Sequence, residues 1–163
     1  MDCCVLNSVE PDYIPPSVNG LVSGIGKYHT NDADKNNPDK KLLPYLSIGL
    51  AGIRALVDKP QPGLAKDDSQ WLIPSTYQSR SHKAQAENGE YWMLWADLDN
   101  NPKPLQQVSG VLEFELLDGC DYEVYSSRSA TEDKQKGRIL VPLSKPLSGA
   151  DWLLAQEVFS DKL

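Results

Sequence analysis

The feature that most constrains this chain is the run Tyr91-Trp92-Met93-Leu94-Trp95-Ala96, apolar without a break. Its length is that of a strand. Continuous rather than alternating apolarity marks a strand covered on both faces, so other elements must pack above and below it. The C-terminal part of the chain supplies them. Pro104 suits a first helical position, and Leu105, Val108, Val111, Leu112 and Leu116 recur at helical spacing until Gly119 stops them. Tyr122-Glu123-Val124-Tyr125 alternates like a strand, and Arg138 to Leu143 reads as the next one. Ser148 can cap a last helix whose apolar residues are Trp152, Leu153, Ala155, Val158 and Phe159. The order from about residue 90 is β-α-β-β-α.

That order is one strand short of the split β-α-β-β-α-β unit, the RRM-like arrangement. The predicted class is α+β: an RRM-like core whose last strand is missing, preceded by an irregular α/β segment. An unfilled position would leave an apolar strand edge exposed, a liability for association. Trp71 to Ile73 and Leu21 to Ile25 are the internal segments that could fill it. Otherwise the chain is the front part of a longer protein.

The first half is less regular. Residues 1–45 carry Pro11, Pro15, Pro16, Pro38 and Pro44, and Thr30 to Lys41 is polar, so an extended arm and loops are expected there. Gly20 to Tyr28 could hold a short strand. Its Gly24-x-Gly26-Lys27 lacks the spacing of a phosphate loop and reads as a glycine-rich turn. Ser47 to Asp58 predicts a helix capped by Ser47 and ended by Pro60 and Pro62. Thr76 to Gly89 reads as polar and irregular. Residues 46–163 are therefore expected to form one incomplete domain behind the arm 1–45.

Composition narrows the function classes. With 16 basic and 23 acidic residues the formal charge is 16 − 23 = −7, which speaks against a general nucleic-acid coat protein. No run of 18 apolar residues is present, so no membrane span is expected. The N-terminus lacks a signal-peptide pattern. With Cys3, Cys4 and Cys120 read as incidental thiols, a reducing cytoplasm is the expected location. His29 reads as a surface residue of the arm. Trp71, Trp92, Trp95 and Trp152 read as core rather than as base-stacking platforms.

Two clusters carry chemistry. Asp97-Leu98-Asp99 closes the apolar strand, and strand alternation sends Asp97 and Asp99 to one face. Two carboxylates there are what a hard divalent ion shared with substrate phosphates needs. The second cluster joins the two later strands. From Ser126 to Pro146 the bases Arg128, Lys134, Lys136, Arg138 and Lys145 outnumber Glu132 and Asp133, a local balance of 5 − 2 = +3. Arginine forks and serine hydroxyls, Ser129 among them, suit phosphates. In a split β-α-β sheet the first and third strands are neighbours, so Arg138 would open the third strand beside the carboxylate pair.

These residues also carry a resemblance. Leu94-Trp95-Ala96-Asp97-Leu98-Asp99, Tyr125-Ser126-Ser127-Arg128-Ser129-Ala130-Thr131 and Gly137 to Leu147 resemble the archaeo-eukaryotic primase superfamily, and within it the primase-polymerase domains of phages, plasmids and integrated elements. The resemblance covers residues 90–163 well and Tyr45 to Gly89 weakly. It implies a metal-dependent DNA primase or polymerase module using Mg²⁺ or Mn²⁺, a DNA template and nucleoside triphosphates. A helicase domain or partner would lie beyond the C-terminus. Asp97 and Asp99 would be the catalytic metal ligands; Arg128, Ser129, Lys134, Lys136 and Arg138 would line the phosphate side. The family's usual His in the second motif is Ala130 here, and its third motif would lie past Leu163. Tyr77-Gln78-Ser79-Arg80-Ser81-His82 echoes the second motif, which makes Arg80 and His82 weak phosphate-site candidates. The alternative function is a non-catalytic RRM-like module that binds nucleic acid or protein.

Overall fold

The computed structural model describes residues 20–26, 29, 42–60, 65, 68–99, 104–117, 120–127 and 129–163. Among them the fold is mixed α+β, with two antiparallel three-stranded sheets and four α-helices. The first sheet has β1 (Leu21–Ile25) between β2 (Leu46–Ile48) and β3 (Gln70–Ile73). The second has β6 (Gly137–Ser148) between β4 (Glu90–Leu98) and β5 (Glu123–Ser126). The helices are α1 (Leu50–Asp58), α2 (His82–Asn88), α3 (Leu105–Val111) and α4 (Gly149–Ser160). None of the helices is long and apolar enough to cross a membrane among the described residues.

β4 is buried on both faces along Tyr91 to Leu94, as its sequence demands. On one face Leu94 packs with Ile139 and Val141 against Val108 of α3, Leu112 directly after it, and Ala155 and Phe159 of α4. On the other, Trp92, Met93 and Leu140 meet Leu21 of β1 and Leu50 and Ile53 of α1. The helix α3 runs on into a wider π turn, Leu112–Leu116, closed by Leu117 N–H donating to Leu112 C=O at 2.8 Å. The turn keeps Leu112 wholly buried and leaves Phe114 exposed.

Two prolines sit inside β6. β5 pairs only with Gly137 to Leu140, so Pro142 and Pro146 fall beyond its reach, where a missing N–H costs no ladder bond to it. Between Tyr91↔Leu147 and Met93↔Pro142 the register shifts, and β6 carries the extra residues of a bulge.

Several expectations are corrected. Ser47 lies in β2, and Gly49 precedes α1, so Ser47 is no cap. The segment Thr76 to Gly89 contains α2, begun by Ser81, whose hydroxyl accepts from Ala84 N–H at 3.3 Å. The last strand Arg138 to Leu143 is longer and runs to Ser148, which caps α4 as expected. Neither Leu21–Ile25 nor Trp71–Ile73 fills the open position beside β4, because they pair with each other. The short stretch Pro74 to Thr76 does so in part. Ser75 bridges Tyr91, Trp92 N–H donates to Pro74 C=O, and Val22 N–H donates to Ser75 C=O. Ser75 thus joins both sheets.

His29 is not a surface residue. It is wholly buried, stacked on Tyr45 at 5.0 Å and edge-on to Trp71 at 4.7 Å. Its Nδ1 has no hydrogen-bond partner among the described residues. Cys120 is disulfide-bonded rather than an incidental thiol, a state rare in a reducing cytoplasm. Cys3, Cys4, Gly119, Arg128 and the turn at Asn100-Asn101-Pro102 lie outside the described residues.

Candidate functional site

The register of the second sheet places Asp97 opposite Arg138 and Arg138 opposite Tyr125. The three residues form one rung across β4, β6 and β5. Side chains of an antiparallel rung share a face and touch across about 5 Å. Here Arg138 Nε donates to Asp97 Oδ1 at 2.7 Å. One step along β4 on the same face, the Trp95 ring lies 5.3 Å below the Arg138 guanidinium carbon, a cation–π distance. Just past the strand, Asp99 meets Lys136 Nζ at 3.5 Å. This face is opposite the one packed by α3 and α4.

Burial works against the charge on Arg138, but the Asp97 hydrogen bond and the charges of Tyr125 and Asp97 outweigh it and hold the guanidinium above its ordinary value. Burial raises the Tyr125 phenol, and Arg138 pulls the other way. A second charged cluster flanks the rung from the N-terminal half. Arg54 of α1 donates to Asp121 at 2.7 Å and to Glu123 of β5. Those two hydrogen bonds outweigh its burial and raise its pKa.

The loop from Ser127 to Lys136 is closed by main-chain bonds, Ser127 N–H to Lys136 C=O and Ala130 N–H to Ser127 C=O. Ser129 is exposed, with its hydroxyl 3.5 Å from that of Ser127. Lys134 is exposed, and its N–H donates to both the C=O and the hydroxyl of Thr131. Of the predicted phosphate-side residues, the structure therefore brings Lys136 and Arg138 to the carboxylates and puts Ser129 and Lys134 on the adjoining loop. Arg80 and His82 are elsewhere. Arg80 stacks over Trp71 at 4.9 Å, and His82 opens α2, which leads into the start of β4, the end remote from Asp97.

Asp97 and Asp99 keep 43% and 55% of their side-chain surface exposed. No group of three His, Cys, Asp or Glu gathers as a metal cage among the described residues. Two accessible carboxylates fit the way Mg²⁺ is usually held, by one or two acids together with substrate phosphates and water. They do not make a site closed around an ion by protein alone.

Sequence reasoning misses two members of this face. Tyr125 and Trp95 are read from the sequence as strand and core residues and as parts of the two motifs, with no site role of their own. Their signal is register: Tyr125 pairs with Arg138, Trp95 lies two residues before Asp97, and both are half-buried against the core shared with β1 and α1. Gln156 is also missed. It is a polar residue on the inner stripe of α4 beside Trp152, Ala155 and Phe159, and such an interruption of an apolar stripe calls for a buried partner. Compared with models of known protein families, with curated proteins and with solved structures, the chain finds no match in any of the three.

Proposed function

We propose that this chain is a primase-polymerase-type domain, with an RRM-like core, that serves template-directed nucleotidyl transfer in the replication of a phage or mobile element. It would be the front portion of such a protein or a degenerate relative. The observation that carries the reading is the quartet Asp97, Arg138, Asp99 and Lys136 on the sheet face opposite α3 and α4. The strand order β4-β6-β5 supports it, being that of the split β-α-β unit without its last strand. Mg²⁺ or Mn²⁺ would be held by Asp97 and Asp99, and the triphosphate would meet Arg138, Lys136 and the loop residues Ser129, Lys134 and Arg128. When bound, the metal supplies activation of a 3′-hydroxyl and neutralisation of phosphate charge. DNA template and a helicase partner go with this reading.

The ion pairs shape how such ligands would enter. A cation arriving alone must compete with Arg138 and Lys136 for the carboxylates. A polyphosphate arriving alone must compete with Asp97 and Asp99 for the bases. A metal–triphosphate complex re-pairs all four charges at once. Calorimetry should therefore show Mn²⁺ and a nucleoside triphosphate each binding at least about tenfold more tightly in the other's presence, a coupling of about 1.4 kcal/mol. The Asp97→Asn, Asp99→Asn double variant should lose this binding and any primer extension. Unchanged primer extension in that variant would end the enzymatic reading.

The alternative, a non-catalytic module, is favoured by two observations: both carboxylates already have basic partners, and Ala130 stands where the resemblance puts a His. Single-strand binding that is indifferent to Asp97→Asn, with no Mn²⁺ binding in either protein, would select it.

A further inference from the structure

Arg138 has two kinds of neighbour. Asp97, opposite it on β4, accepts from its Nε at 2.7 Å. The others are aromatic. Tyr125, opposite it on β5, hydrogen-bonds the guanidinium, and the Trp95 ring centroid lies 5.3 Å from the guanidinium carbon. Trp95 stands on the diagonal from Arg138, a separation that an aromatic side chain spans.

The two kinds differ in how firmly they are held. Asp97 is half-exposed at the end of its strand. Trp95 and Tyr125 are packed against the core of Leu21, Leu50, Ile53, Met93 and Leu140. Trp95 is fixed through its main chain as well. Its N–H donates to Gln156 Oε1 at 3.1 Å, and its C=O accepts from Gln156 Nε2. A strand laid along that edge would hold the same two groups in the same place.

The balance of forces on Arg138 follows. A half-exposed ion pair gains little, and an arginine loses much rotamer freedom when it is fixed. Asp97 alone is therefore a weak anchor. An aromatic face attracts a cation, more strongly where water is shut out, and Arg138 is itself partly buried. The fork of the guanidinium also carries more N–H donors than Asp97 and Tyr125 take, and the surplus suits a phosphate oxygen.

We propose that Trp95 and Tyr125 are positioning residues, a permanent seat for Arg138, and that Asp97 is its exchangeable partner. The use of the seat rests on the nucleotidyl-transfer reading. When Asp97 turns to a metal ion, Arg138 keeps its place on the rung and meets the phosphate without reorganising, which is how a preorganised charge contributes most.

The seat is tested without ligand, by side-chain NMR. In the wild type the Trp95 ring current should move the Arg138 side-chain protons upfield. Asp97→Ala removes the acceptor from an exposed position, and more than half of that shift should survive. Loss of the shift overturns the proposal, because Asp97 would then be what holds Arg138. The use of the seat is tested by calorimetry with Mn²⁺ and inorganic triphosphate. Trp95→Leu should weaken binding at least about tenfold. Trp95→Phe and Tyr125→Phe, which keep a ring, should cost about threefold or less. In an Arg138→Gln background the same changes should have no further effect, because they act through Arg138. Equal weakening in both backgrounds overturns the proposal, since the aromatic residues would then only support the fold. Tyr125→Phe keeps its packed ring and carries the same cycle if Trp95→Leu does not fold. A wild type that binds no Mn²⁺–triphosphate ends the nucleotidyl-transfer reading, while the shift in Asp97→Ala still decides the seat.

Discussion

The two sheets handle polar groups in opposite ways. In the first, polar and aromatic side chains turn inward and are held by one another. Ser23 is wholly buried, donates to Trp71 C=O at 2.7 Å and accepts from Gln70 Nε2 at 2.9 Å. Trp71 Nε1 donates to Gly26 C=O at 2.9 Å, and His29 fills the space between Trp71 and Tyr45. In the second sheet the polar groups face outward as ion pairs across a rung, Asp97 with Arg138 and Asp99 with Lys136. Buried networks of fixed geometry specify structure and are costly to disturb. Half-exposed ion pairs stabilise little and are free to exchange partners. The difference locates structure in the first sheet and candidate chemistry in the second.

The sharpest way to break the first sheet is Gly24→Ala. A Cβ there would lie 2.4 Å from the Trp71 ring and 2.6 Å from His29 Cε1, well inside contact distance. Both rings are packed and cannot swing away, so the cost should be about 3 kcal/mol, at the upper end of overpacking. Urea denaturation gives the number. If the comparison is right, any Mn²⁺–nucleotide binding measured for the wild type is unchanged in the folded fraction, because nothing in the Asp97 rung touches Gly24.

A smaller effect should appear at alkaline pH, in the second sheet. Burial holds the Tyr91 and Tyr125 phenols neutral and raises both above their ordinary value, about 10. The unfolded chain therefore loses these protons first, and unfolding is favoured as pH rises. Their contribution is fully present below pH of about 10 and is lost above it, as pH passes through the raised values. The melting temperature should fall beyond that point, and Tyr91→Phe, which keeps the stack on Trp152, should flatten the fall. An identical alkaline profile in that variant would remove Tyr91 from the account.

How much of this was legible depends on whether the signal is local. The apolar run at Tyr91, the Ser148 cap and the D-x-D at the strand end are local, and the structure has them as read. The pairing of Arg138 with Asp97 required only that the third strand lie beside the first. By contrast, α2 has a short polar sequence whose one strong signal is the Ser81 cap, and it is held by Gly149 of α4 passing against Ala86. A Cβ at Gly149 would come within 2.2 Å of Ala86 C=O. Such a tertiary contact leaves no periodicity. His29 is buried by Trp71 and Tyr45, two distant segments that no pattern near His29 announces. Ser47 reads equally well as a cap and as a strand residue, and pairing with Val22 decides it.

The smallest expected effect is the most telling. A double-mutant cycle on Asp97→Asn and Arg138→Gln measures how much the central ion pair stabilises the fold. Asp97 is 43% and Arg138 38% exposed, so solvent screens the pair, and the Trp95 ring shares the guanidinium. The coupling should be below about 1 kcal/mol and should shrink further in high salt. A value of about 3 kcal/mol would belong to a buried, structural bridge. It would make the second sheet as rigid in its polar groups as the first, and would leave Asp97 too firmly committed to Arg138 to serve any ligand. A small value leaves the carboxylate poised to change partners, which is what a site that receives a cation together with phosphate requires.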